Sequence, residues 1–168
     1  MWHPTNYSHL SGTAYWDTLA DDLSHLIMAT DNPITTLSNA SAFLYNVVER
    51  INWAGFYLYD GSKLILGPFG GKPACTSIEI GKGVCGTSAK TLQTIIVHDV
   101  ETFPGHIVCD TDSRSEIVVP LIASNGILIG VLDIDSPEIS RFGEEDKIGL
   151  EKIAEIVTQA VQGYAPLV

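Results

Sequence analysis

Three cysteines, Cys75, Cys85 and Cys109, form neither a CxxC pair nor an even-numbered disulfide framework. In a reducing compartment such thiols are small buried hydrophobes, metal ligands or redox groups. Cys85 lies in Gly81-Lys82-Gly83-Val84-Cys85-Gly86-Thr87-Ser88-Ala89, a glycine turn leading into a short helix whose positive N-terminal end favours a thiolate. Cys109 follows the turn-rich Phe103-Pro104-Gly105-His106 and Cys75 follows Pro73-Ala74, so all three are expected in partly exposed segments. His98 and His106 add soft ligands, but only His106 and Cys109 are closely paired, a poor pattern for structural zinc. No metal is expected, and His106 reads as a loop histidine or a modulator of Cys109.

Carboxylates and aromatics complete the chemically capable set. Asp133 and Asp135 are two apart at the end of a strand and share a face, at what reads as the sheet's edge. Should Glu116 converge with them, repulsion would raise one pKa and leave a carboxylic acid able to donate a hydrogen bond beside anions that attract ammonium groups. Trp53 and Tyr57 share a strand face, with Gly55 between them leaving room for a close approach. An apolar wall for a methyl-sulfur group needs that arrangement.

The positioning elements follow from periodicity. Trp16, Leu19, Ala20, Leu23, Leu26 and Ile27 recur at helical spacing and predict a helix over 15–29. Asn32-Pro33 starts a second helix that carries Ile34, Leu37, Leu44, Val47 and Val48 to about Arg50. Strands are expected at 53–59, 63–67, 94–97, 116–123 and 126–134, with hairpins at Asp60-Gly61-Ser62 and Ser124-Asn125-Gly126. A closing helix over 143–161 has Glu144, Glu145 and Asp146 in its first turn and Ile148, Ile153, Ile156, Val157 and Ala160 facing inward. The last two strands are apolar on both faces and require cover on both sides, for which the two N-terminal helices and the C-terminal one are available. The reading is an α+β fold in α/β/α layers, with a mostly antiparallel sheet of about six strands. Residues 1–13 form an arm, 14–162 a single domain and 163–168 a tail. The loop-rich middle, 67–116, holds all three cysteines and is where a site is expected.

Composition narrows the partners. The 168 residues carry 20 acidic against 9 basic side chains, a net charge of -11, which disfavours a nucleic-acid partner. No apolar run reaches the roughly 18 residues of a membrane span, so a soluble protein is expected. The first 49 residues contain no Lys or Arg, unlike secretory or transit signals, and a cytoplasmic location is expected.

Six blocks in order, WAGFYLYD, GPFGGKPAC, IGKGVCGTSA, HDVETFPGHIVCD, SRSEIVVPL and GVLDIDSPEISRF, resemble the free methionine-R-sulfoxide reductases, which are single GAF domains. The resemblance covers about residues 15–160. It implies that Cys109 attacks the sulfoxide sulfur, releases methionine and becomes a sulfenic acid. Cys75 or Cys85 then condenses with it, Cys75 being favoured because Cys85 on a short helix is less free to move, and thioredoxin restores the dithiol. Trp53 and Tyr57 would cradle the methyl group, while Glu116, Asp133 and Asp135 would bind the sulfoxide oxygen and the amino-acid head group. No cofactor is implied. Family members often dimerise, and the N-terminal helices offer a surface for a homodimer. The alternatives are a GAF small-molecule-binding module, which needs no thiol chemistry, and a redox sensor or thiol peroxidase acting through the same cysteines.

Overall fold

Periodic apolar stripes build one layer of the molecule, whose computed structural model describes residues 5–27, 32–107 and 109–164. Residues 28 and 29 of the expected first helix, 1–4 of the arm and 165–168 of the tail lie outside the described residues. Helix α1 (Gly12–Ile27) buries Trp16, Leu19, Ala20, Leu23 and Ile27. Helix α2 (Pro33–Val47) begins as its sequence predicts, with the Asn32 side-chain oxygen accepting the amides of Ile34 and Thr35 at 2.9 and 3.3 Å. It stops three residues short of the expected end, and Arg50, with φ of 60°, turns the chain toward the sheet. The last of the four α-helices among the described residues, α4 (Glu144–Val161), has three acids in its first turn, and the Asp146 carboxylate accepts the Gly143 amide at 2.8 Å. One inward assignment fails: Ile148 faces solvent, at 57% exposure, because the buried stripe of α4 is narrower than the apolar pattern suggests.

Six antiparallel strands form the sheet: β1 (Trp53–Tyr59), β2 (Lys63–Gly71), β3 (Ser77–Glu79), β4 (Ile95–Val97), β5 (Ser115–Ile122) and β6 (Leu128–Ser136). Their order is β3-β2-β1-β6-β5-β4, so β1 and β6 are central. Strand β2 outlasts its expected end at Gly67. A register shift against β1 between Gly55 and Tyr57 accommodates Pro68, which has no amide for the ladder, and pairing resumes at Phe69. Strand β3 escaped the sequence reading because it has one apolar residue, Ile78, in three.

The layers are as expected, but the cover is distributed differently. Helices α1, α2 and α4 all pack on one face, around Ala54, Phe56, Leu58, Ile117, Val119, Leu132 and Ile134. The opposite face is covered by helix α3 (Gly83–Thr91) and the long loops, in a second cluster with Trp53, Tyr57, Val84, Cys85, Val118 and Val131. That thinner layer lies over the cysteines.

Candidate active site

Strand register assembles the polar floor. Pairing places Trp53 opposite Asp135 and Asp135 opposite Glu116, with Gly55, Asp133 and Val118 forming the next row. Side chains two apart share a face, so the two aromatics and three carboxylates all lie on the side covered by α3 and the loops. Because β6 is central, Asp133 and Asp135 are not at a sheet edge as expected. Asp133 and Glu116 are each only 6% exposed.

Burial governs the charge of this cluster. Desolvation pushes the carboxyls of Glu116, Asp133 and Asp135 well above the usual carboxylate range, and the nearest acid raises each further: Asp135 beside Glu116, Glu116 beside Asp133, and Asp133 beside Asp135. The upward shift expected of one residue therefore extends to all three. Burial also lowers the pKa of His106, whose Nε2 lies 3.6 Å from a Glu116 oxygen.

The cysteines divide into a pair and a single thiol. A disulfide joins Cys75 to Cys109, with Cα atoms 5.4 Å apart, while Cys85 is a free thiol. Partial exposure holds for Cys75 and Cys109 but not for Cys85, which is 3% exposed with Sγ 3.9 Å from Glu116 Oε1. Its position near the start of α3 does not yield a thiolate: desolvation, then Asp133 and Glu116, push the thiol pKa well up. Among the described residues, Cys85, Glu116 and Asp133 bring donor atoms within 4.8 Å of one another, close enough to share a cation. Burial favours their protonated forms, which are poor ligands.

Aromatic side chains fix the Cys75 segment. Trp53 Nε1 donates to the Lys72 carbonyl at 3.1 Å and the Tyr57 hydroxyl donates to the Cys75 carbonyl at 3.0 Å. Trp53 stacks between Tyr57 and Phe69, at centroid distances of 5.9 and 5.3 Å. Gly55 does permit a close approach, but the approaching groups are internal: a Cβ there would lie 2.3 Å from Phe69 Cβ and 2.7 Å from the Trp53 ring. On the other side, Asn52 Nδ2 donates to Asp110 and Ser113, both at 3.0 Å.

These groups enclose a cavity of about 30 Å³, lined by Tyr57, Cys85, Cys109, Glu116, Asp133 and Asp135 among others. Trp53 and Cys75 stand behind the lining. A larger groove of about 560 Å³ between β5 and α4 contains no cysteine or histidine. Sequence reasoning missed Asn52, Phe69, Asp110 and Ser113. All four adjoin or fall within the quoted blocks: Asn52 precedes WAGFYLYD, Phe69 lies in GPFGGKPAC, Asp110 ends HDVETFPGHIVCD and Ser113 opens SRSEIVVPL.

Comparisons with known proteins show the family and the fold. A GAF domain family model matches residues 35–162. The chain is 46% identical over 144 residues to the free methionine-R-sulfoxide reductase of Escherichia coli, covering 86% of this chain and 87% of that protein. It is 48% identical over 136 residues to the Saccharomyces cerevisiae protein of the same name, covering 77% and 76%. The structure of free methionine-R-sulfoxide reductase from Neisseria meningitidis in complex with its substrate superposes with a TM-score of 0.89, at 36% identity and 96% coverage of both chains.

Proposed function

The chain belongs to the free methionine-R-sulfoxide reductase family of GAF domains, and we propose that it reduces free L-methionine-R-sulfoxide to L-methionine with Cys109 as nucleophile. The observation that carries this reading is the Cys75–Cys109 disulfide, whose Cys109 lines the same cavity as Glu116, Asp133 and Asp135.

The thiolate of Cys109 attacks the sulfoxide sulfur and the oxygen gains negative charge. A protonated acid of the cluster donates to that oxygen, methionine leaves, and Cys109 is left as a sulfenic acid. The Cys75 thiol then condenses with it, water departs, and thioredoxin reduces the resulting disulfide by dithiol exchange. Tyr57, backed by Trp53, forms the wall for the methyl group. Glu116, Asp133 and Asp135 share the sulfoxide oxygen and the substrate ammonium; a charged head group that draws a proton from one acid turns that acid into its counter-ion. A peptide-bound methionine sulfoxide offers no such ammonium, which accounts for selectivity toward the free amino acid. Cys85, buried on α3, is the secondary resolving thiol.

The test is methionine release from free L-methionine-R-sulfoxide, its S epimer and an N-acetylated analogue, using reduced protein and thioredoxin recycling. Turnover of the free R form alone is expected. No turnover of any of them, with thiols verified as reduced, would return the domain to small-molecule binding without thiol chemistry.

A further inference from the structure

Beyond the aromatic anchors and the disulfide itself, a set of side-chain contacts joins the two segments that carry the paired cysteines. Lys72 precedes Cys75 by three residues, and Asp110 directly follows Cys109. Lys72 Nζ lies 3.5 Å from Asp110 Oδ1 and also pairs with Asp112. The second Asp110 oxygen accepts from Asn52, whose own backbone amide is bonded to Asp135 O at 2.9 Å. The Asp110 side chain is only 6% exposed, so this ion pair is less screened than an ordinary surface bridge. The amide of Asp112 and then the Asn52 side chain hold the Asp110 carboxyl below the usual carboxylate range, which keeps it anionic.

We infer that Lys72 is a positioning residue that selects Cys75 as the partner of Cys109, by tying the segment that ends in Cys75 to the Asp110–Asp112 stretch while the disulfide is open. The sulfenic-acid version of this role rests on the proposed function. In that step Cys109–SOH and Cys75–SH give the disulfide and water: the S–O bond breaks, the S–S bond forms, and the Cys75 proton leaves with the hydroxyl. Its rate scales with the effective concentration of one sulfur at the other, which a link between the two segments raises. Cys85 lacks such a link to the Cys109 segment among the contacts of the described residues; its thiol faces Glu116. The Lys72 backbone is anchored independently through Trp53, so changing its side chain leaves the pocket wall in place.

The first measurement uses Lys72→Met without substrate, at equilibrium with glutathione, where protein dithiol and oxidised glutathione give protein disulfide and two reduced glutathiones. The effective concentration of the Cys75–Cys109 pair is expected to fall about three- to tenfold at low salt, and the difference from wild type to shrink as ionic strength rises. Lys72→Arg, which keeps a cation beside both Asp110 and Asp112, is expected to recover most of that loss, and a role for stem packing alone would not make the recovery salt-dependent. With substrate, Lys72→Met releases its first equivalent of methionine at the wild-type rate, whereas its sulfenic acid survives longer and is trapped more fully by dimedone. An unchanged glutathione equilibrium in Lys72→Met, or a loss in Lys72→Arg as large as in Lys72→Met, overturns the inference. The glutathione arm needs no sulfoxide, so its outcome is independent of whether the reductase reading holds.

Discussion

Protons held by buried acids define the residue scale. Glu116 and Asp133 are buried and Asp135 is half-buried, and desolvation raises the pKa of each, which favours their neutral forms. For Asp133, a native pKa above the unfolded value means that its stabilising contribution is complete below the ordinary carboxylate range and is lost as pH rises through the native pKa. Asp133→Asn stays neutral at every pH. Its thermal midpoint relative to wild type is therefore expected to rise between about pH 5 and about pH 8 in ligand-free protein, followed by circular dichroism. A flat difference would mean that Asp133 is ionised in the native state.

The cysteines give a second residue-scale prediction. Cys109→Ser is expected to lose at least about a thousandfold in single-turnover methionine release, since an unactivated hydroxyl replaces a thiolate nucleophile. Cys75→Ser should release one equivalent and then stall or slow, while Cys85→Ser should release the first equivalent and recycle with a smaller deficit. Quench-flow counting of methionine separates the three. Full multiple turnover by Cys109→Ser would remove it from the chemistry.

At the scale of elements, close approaches decide how the helical layer meets itself. Gly149 on α4 lies under the Trp16 ring of α1, where an added Cβ would be 2.1 Å from Trp16 Cγ. Alanine is the better helix former by about 1 kcal/mol, but overpacking a buried contact typically costs about 1–3 kcal/mol. Gly149→Ala is therefore expected to be destabilising on balance, with a lower urea midpoint at unchanged m-value. A gain in stability would show that α1 shifts freely. The three long helices were legible because their apolar stripes and caps are local signals, visible in Trp16 to Ile27 and in Asn32-Pro33. The extension of β2 through Pro68 was not, because pairing with β1 rather than local propensity stabilises it.

Across the whole molecule, the disulfide form is a closed form. A cavity of about 30 Å³ holds one or two waters and not a methionine sulfoxide. Calorimetry with free L-methionine-R-sulfoxide is expected to show binding to reduced Cys109→Ser and at least about tenfold weaker binding to the oxidised wild type. Equal affinity would mean that the loops open without breaking the Cys75–Cys109 bond. Among the described residues, no helix is long and apolar enough to cross a membrane.

The sequence by itself determined the long helices, most strands and which of several candidate side chains share a strand face. Period 2 placed Trp53 with Tyr57 and Asp133 with Asp135, and the ordered blocks carried the family. Tertiary structure decided that Cys109 pairs with Cys75, 34 residues away, that Cys85 is buried on α3, and that β6 lies near the centre of the sheet with Asp133 buried. Local spacing fixes which side chains share a face, because that depends only on backbone geometry. Pairing and burial depend on which distant segment covers that face, and those contacts exist only once the chain has folded.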